Sequence, residues 1–278
     1  MTGTVLAHGP LIRLAAFLVL LGLIAGWELV TPRRPRALTR RRRWPQNLGI
    51  SIVNTLSLRF LLPGAAIGIA TVADARDWGL LHFVAMPFWL VVVLSLLLLD
   101  LTIYLQHVMF HALPLLWWVH RVHHTDMDFD VTTALRFHPV EIVLSMVIKL
   151  AAIALLGAPV IAVLLFEITL NATAMFNHAN ASLAARIERI VRLVVVTPDF
   201  HRVHHSVVPA ETNSNFGFNA PWWDWLFGTY RAQPGSGHDH MHIGLEDFRD
   251  PAQERLDRLL TQPLIRPTQN LPLPDARP

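Results

Sequence analysis

Apolar runs long enough to cross a bilayer dominate this chain, and they narrow its possible folds more than any other feature. A helix of about 20 mainly apolar residues spans the hydrocarbon core. Leu11–Val30 meets that length, with Arg13 near one end where its side chain can snorkel. Leu48–Val72 is a second run, and Pro63-Gly64 inside it predicts a kink. Phe83–Phe110 is the third and longest, and its centre, Phe88–Leu99, is almost wholly aliphatic. Val140–Leu156 and Pro159–Asn177 are shorter, and Gly157-Ala158-Pro159 breaks between them, as in an out-and-back hairpin. Hydrophobic residues make up 53% of the chain and charged residues 15%, with mean hydropathy +0.41, which excludes an ordinary soluble domain. The expected fold class is all-α, a polytopic transmembrane helical protein.

The net charge of +3 is unevenly spread. Arg33-Arg34-Pro35-Arg36 and Arg40-Arg41-Arg42-Arg43 form one basic loop between two spans. Flanking spans argue against nucleic acid as its partner; the loop reads as a topology signal in contact with anionic headgroups. The basic cluster follows the first apolar run and no small-residue cleavage site precedes it, the wrong polarity for a signal peptide. With the loop 31–47 cytoplasmic, the loop Ala73–His82 lies outside, and the third span and the hairpin both return to the cytoplasm. Leu183–Val196, with Arg186, Arg189 and Arg192 among aliphatics, reads as a helix lying in the interface. Trp117-Trp118 and Trp222-Trp223-Asp224-Trp225 suit interfacial anchors. The tail beyond about Gly235 is rich in Pro, Gly and polar residues and is expected to be mobile at its end.

Eight of the fifteen histidines fall in three clusters: His107-Val-Met-Phe-His111, His120-Arg-Val-His123-His124 and His201-Arg-Val-His204-His205. Residues three and four apart share one helical face, so each cluster aims two or three imidazoles at one point. Pro114 opens the helix expected to carry the second cluster, and Thr197-Pro198-Asp199 caps the third. By span parity all three reach the cytoplasmic face, as does His178 in Asn177-His178-Ala179-Asn180. The result is a histidine-rich helical metal-binding cap on that face. One metal takes four to six ligands, so about nine histidines suggest two metals with open positions. Imidazole suits zinc, copper, iron or nickel, and residue type alone does not choose. Asp100 precedes His107 by seven residues with Tyr104 between them, and an acid in an apolar helix needs a partner. Receiving the second N–H of a ligand histidine would satisfy it. Cysteine is absent, which removes disulfides and thiolate ligands.

Taken together, Asp100-x3-Tyr104-x2-His107-x3-His111, Leu116-Trp117-x2-His120-x2-His123-His124, Thr133-Ala134-Leu135-Arg136-Phe137-His138-Pro139-x-Glu141, Phe176-Asn177-His178-x-Asn180 and Thr197-Pro198-Asp199-x-His201-x2-His204-His205 resemble the membrane-bound fatty acid hydroxylase superfamily, especially its bacterial sterol-desaturase-like branch. Asn215-Phe216-Gly217-Phe218 and Trp223-Asp224-x-Leu226-Phe227-Gly228-Thr229-Tyr230 continue the resemblance, which covers about 100–231; the first two spans carry none of it. The resemblance implies a non-haem centre of two iron ions that uses O2 to attack an unactivated C–H bond of a lipid, by hydroxylation or desaturation. It implies as metal ligands His107, His111, His120, His123, His124, His178, His201, His204 and His205. His138, Asp100, Tyr104, Asn180 and Asn215 become further ligands or partners of the ligands. No cytochrome-b5-like segment is seen, so a separate electron donor is expected: a ferredoxin, a cytochrome b5-like protein or a reductase. The organisation expected is 1–82 for N-terminal spans and basic loop, 83–232 for the catalytic domain and 233–278 for a tail.

Two other classes compete. A membrane zinc hydrolase would want a carboxylate base, as in His-Glu-x-x-His, and that motif is absent. A metal transporter would place histidines along a path at mid-membrane depth. His238, His240 and His242 are expected in a flexible polar loop, and Arg136 and Glu141 as ligand partners or a salt bridge. Lys149 and Glu167 sit about equally far from the hairpin turn, which leaves two readings: they pair, or Lys149 snorkels to the headgroups and Glu167 faces protein alone. Glu167 and Asn171 share the spacing of His178 and are expected above the metals.

Overall fold

The computed structural model describes residues 2–266, which contain helices and no strand. Five stretches are long and apolar enough to cross a membrane: Leu11–Val30, Arg40–His82, Phe88–Ala112, Pro139–Leu156 and Val160–Asn177. The first lies in α1 (Thr2–Val30). Leu11, Leu14, Leu18 and Leu23 on α1 are exposed, as a lipid-facing surface requires. Its other side, with Phe17, Leu20 and Ile24, packs near Ala174 and Met175 of α7 (Val160–Asn177).

The second stretch is broken rather than kinked. It divides into α2 (Arg40–Leu61) and α3 (Ala65–Ala75). Pro63 cannot donate a backbone hydrogen bond and disfavours a helical Leu62. Gly64 then takes φ +64°, a left-handed conformation that glycine adopts without penalty. Pro87 likewise delays the third span, so α4 runs Phe88–Ala112. After it come α5 (Pro114–His124) and the hairpin arms α6 (Pro139–Leu156) and α7, joined at Gly157. The arms are not each other's main neighbours: α3 and α4 both pack against each of them. Leu99, Ile103, Ile153, Val163 and Phe166 form the core there.

Gly157 (φ +69°) meets Gly79 (φ +102°) across this core; a Cβ on Gly79 would fall 2.1 Å from Gly157 N. This contact puts the 73–82 loop and the hairpin turn at one end of the bundle. The opposite ends of α4, α6 and α7 carry the histidines.

The expected interfacial helix is shorter than its apolar run: α8 spans Ala185–Val191, with Ile187, Ile190, Leu193 and Val194 exposed along it and just after. Next comes α9 (Pro198–His204), capped by Thr197 Oγ1, which accepts from Phe200 N at 3.3 Å. Short helices α10 (Pro209–Thr212), α11 (Trp222–Leu226), α12 (Gly237–His240) and α13 (Leu256–Thr261) complete the cap. Leu259 of α13 buries against Ile50 and Val122. The tail end expected to be mobile lies outside the described residues.

The basic loop departs from expectation. Arg43 is fully buried and donates to Asp126 (2.8 and 2.6 Å) and Asp130 (2.5 Å). Arg40 bonds Glu28 at 2.6 Å, Arg34 donates to the carbonyls of His238 and Met241, and Arg33 pairs with Asp239. These guanidiniums fasten α1, α2 and the tail to the cap. Arg41 and Arg42 remain exposed for headgroups.

Candidate metal centre

Helical spacing puts each cluster's rings on one face, and the packing of α4, α5, α7 and α9 turns those faces toward one another. Nine buried imidazoles meet in two adjoining sets. One contains His107, His111, His120, His124 and His204; the other contains His123, His178, His201 and His205. Within each set the candidate ligand atoms lie within 4.8 Å of one another. The sets touch, with ring centroids of His107 and His201 6.3 Å apart and of His124 and His205 4.6 Å apart.

The surrounding hydrogen bonds choose which ring nitrogen faces inward. Nδ1 of His107 donates to Phe216 O at 2.8 Å, Nδ1 of His204 to Ser214 O at 2.8 Å and Nδ1 of His178 to Ala174 O at 2.7 Å. A carbonyl only accepts, so those Nδ1 atoms carry the proton and each Nε2 presents a lone pair. His120 Nδ1 donates to Glu141 Oε1 at 2.6 Å, and His111 Nδ1 faces Asn213 Oδ1 at 3.2 Å. This is the outer arrangement that orients metal-binding histidines.

The inward nitrogens then lack partners. Nε2 of His107, His204 and His205 is buried without a hydrogen bond. His124 Nε2 lies 3.2 Å from Nε2 of both His111 and His120, although a single N–H can satisfy only one of them. His178 Nε2 likewise faces His123 Nε2 at 3.1 Å and His201 Nε2 at 3.2 Å. Burial, reinforced by neighbouring imidazoles, holds His123, His124, His201, His204 and His205 well below the usual histidine range. Burial lowers His178 to about 4. These rings are therefore neutral at pH 7, and converging neutral lone pairs are the donor set a transition-metal cation requires. The residues present fit two metal ions.

Aromatic rings wall the centre. Phe137 stacks on His123 with centroids 4.3 Å apart, and Trp117 lies 4.9 Å from His111. Trp117 is thus buried against imidazoles rather than anchored at the interface. A cavity of about 290 Å³ opens beside His107 and His120, between α2, α4, α6 and α7. Leu58, Ile103, Phe110, Ile142, Leu170 and Phe218 give it a mainly apolar wall.

Five residues expected at the metals take other places. Asp100 meets no histidine: Oδ2 accepts from Trp223 Nε1 at 2.8 Å and from Ala220 N at 3.3 Å. Tyr104 Oη bonds Thr229 Oγ1 at 2.8 Å. Both fasten the 213–230 loop, whose carbonyls orient His107 and His204. Asn215 belongs to that loop too; at φ +54° it bonds the backbone of Phe200 and Arg231. Asn180 bonds Arg34 N and O, far along the chain in the basic loop. His138 caps α6 by accepting from Val140 N and bonds Leu260 O at 3.2 Å, outside both sets.

Of the remaining candidates, Glu141 is the partner of His120, whereas Arg136 pairs with Glu254 and donates to Val122 O at 2.9 Å. His238 is buried beside Asp199 instead of lying in a flexible loop; His240 is exposed. Of the two readings for Lys149, the paired one holds, with Glu167 at 2.9 Å, and Arg13, expected to snorkel, joins them on Glu167's second oxygen. Asn171 lines the cavity and Glu167 does not. The roles of the Ser214 and Phe216 carbonyls carry no signal in residue identity, because any residue supplies a carbonyl.

Comparison with known proteins agrees with this geometry. Residues 92–229 match the model of the fatty acid hydroxylase family. An ornithine lipid hydroxylase from Rhizobium tropici is 31% identical over 148 residues, covering 53% of this chain and 44% of that protein. An alkylglycerol monooxygenase from Danio rerio is 31% identical over 159 residues, 55% of this chain and 34% of that protein. The alkylglycerol monooxygenase from Homo sapiens is 27% identical over 139 residues, 48% and 29% of the two chains. The chain thus spans less than half the length of these curated relatives. No solved structure matches. All nine histidines of the two sets lie inside the matched segment, and that segment belongs to the fatty acid hydroxylase family.

Proposed function

We propose that this integral membrane protein is an O2-dependent lipid oxygenase with two non-haem iron ions. The observation that carries the reading is the pair of adjoining imidazole sets whose inward nitrogens face one another or have no hydrogen bond. His107, His111, His120, His124 and His204 would hold one ion, and His123, His178, His201 and His205 the other. Bound iron would supply the redox chemistry with O2 that breaks an unactivated C–H bond. The relatives act on an ornithine lipid and on alkylglycerols, which supports a lipid substrate and favours hydroxylation over desaturation.

The chain's own residues prepare that chemistry. Phe216 O, Ser214 O, Ala174 O and Glu141 fix the tautomers of His107, His204, His178 and His120, so those four Nε2 lone pairs face inward without rearrangement. Phe137, Phe129, Trp117 and Phe216 exclude water around the rings. The cavity beside His107 and His120 lies among membrane-spanning helices, so an apolar chain can reach the site laterally. Electrons would come from a separate donor protein. Span parity and the exposed Arg41 and Arg42 support a cytoplasmic site. Gathering of the sets at one end of the helices speaks against a transport path.

Metal analysis of the purified protein, with lipidomics of a deletion strain grown in air, tests the reading. Two irons per chain and a lipid that gains one oxygen are expected. A single zinc with hydrolytic turnover would overturn it.

A further inference from the structure

The cavity beside the histidine sets is not uniformly apolar, and the unpartnered amide and carboxylate atoms on its wall share one character. Asn54 Nδ2 donates to Phe137 O at 2.9 Å, which fixes the amide's orientation and leaves Oδ1 free. Glu141 gives Oε1 to His120, while Oε2 has no partner. Gln106 Nε2 donates to Ser145 Oγ at 2.8 Å and leaves Oε1 without a partner. All three residues line the same cavity, and all three orphaned atoms are hydrogen-bond acceptors. Buried acceptors are rarely left unsatisfied, and each calls for a donor. No lysine or arginine lines the cavity, so nothing there would welcome a carboxylate or phosphate.

Resting on the oxygenase reading above, we infer that Asn54, Glu141 and Gln106 select a lipid that carries a neutral hydrogen-bond donor, a hydroxyl or an amide N–H, beside the reactive centre. Glu141 ties this to position along the substrate. Its Oε1 is 2.6 Å from the Nδ1 of His120, so a donor on Oε2 sits next to a ligand histidine. The carbon attacked then lies close to the donor-bearing group instead of midway along a plain acyl chain. A saturated hydrocarbon would fill the apolar wall but leave three acceptors unsatisfied.

Matched ligands test this without turnover. Hexadecanol and methyl hexadecyl ether differ only in the donor, as do N-methylpalmitamide and N,N-dimethylpalmitamide. Each is added at equal mole fraction to the full-length protein in phosphatidylcholine nanodiscs, and occupancy is read by native mass spectrometry. The donor of at least one pair should bind about tenfold better than its methylated twin; the pair that shows it identifies hydroxyl or amide as the group read. Glu141→Gln keeps an acceptor for His120 and turns Oε2 into a donor, so the preference should vanish or reverse. Asn54→Leu should weaken it. Equal binding of both twins to the wild type would overturn the proposal, as would a preference that survives in both variants. If Asn54→Leu does not fold, the wild-type series and the near-isosteric Glu141→Gln still decide. Occupancy needs neither iron nor O2, so absent turnover would count against the oxygenase reading alone.

Discussion

Two buried polar assemblies lie side by side in the cap, and they solve opposite problems. Around Arg43, each charge meets its complement. Asp126 and Asp130 bind the guanidinium, Thr132 and Thr133 fill remaining oxygens, and Trp44 Nε1 donates to Asp130 at 3.2 Å. Burial would raise Asp126, yet Arg43 and Arg136 outweigh it and hold the carboxyl down at about 2. The histidine assembly beside it has outer partners on His107, His111, His120, His178 and His204, while its inner nitrogens face each other or have no hydrogen bond. Folding therefore completes the first assembly from within the chain. The second leaves converging lone pairs that could hold cations. A buried polar group that satisfies itself is structural, and one whose inward atoms are left without protein partners is suited to a ligand.

Removing one histidine from each set gives the largest effect this comparison predicts. His123→Ala and His204→Ala should each lose bound metal and lower turnover by at least about 100-fold, since losing an outer partner alone costs about 10–100-fold. The spans should stay inserted, as neither ring lies in one. Metal content by mass spectrometry and product formation check this. His240→Ala, on an exposed ring, should leave both unchanged. Equal loss from His240→Ala would mean that the tail contributes a ligand.

The Arg43 assembly should respond in stability instead. Arg43→Met strands two buried carboxylates and should cost about 3–5 kcal/mol. Arg41→Met, two residues away and exposed, should stay within about 0.5 kcal/mol. Denaturation in detergent compares them. Similar small effects would show that the two aspartates find other partners and would erase the contrast drawn above.

A smaller effect separates buried His238 from the two histidine sets. Burial lowers it to about 4, with Arg202, Arg33 and Arg192 adding to the shift and Asp199 opposing it. Unfolded histidine titrates near about 6.5. The folded value is depressed, so its contribution is full above about pH 6.5 and is lost as pH falls toward 4. His238→Gln should flatten the stability profile across that window relative to wild type. Parallel profiles would place His238 in water.

These contrasts also explain what could be read in advance. Ligand spacing is local: His120, His123 and His124 share a face because a helix repeats every 3.6 residues, whatever surrounds it. Pro114 and Thr197 announce their helices for equally local reasons. Asp100 was misplaced because helical spacing names a face but not the neighbour across it; its partner Trp223 is 123 residues away. Arg43 looked like a topology signal because its partners lie 83 and 87 residues on. The loop carbonyls on His107 and His204 leave no trace in residue type at all.

The hairpin pair combines both situations, since depth is local arithmetic and the third partner is not. Counting residues from the turn matched Lys149 with Glu167, but Arg13 arrives from α1, 154 residues before Glu167. Glu167 thus has two cations, and losing one does not strand it. Lys149→Met should cost only about 1 kcal/mol or less, near the value for a partly screened pair. Arg13→Met with Lys149→Met removes both and should cost about 3 kcal/mol, more than the sum of the single changes. Thermal unfolding of the four proteins closes the cycle. Strict additivity would show that Arg13 turns to the headgroups in a bilayer and that Lys149 alone neutralises Glu167. In that case the single Lys149→Met change would carry most of the loss.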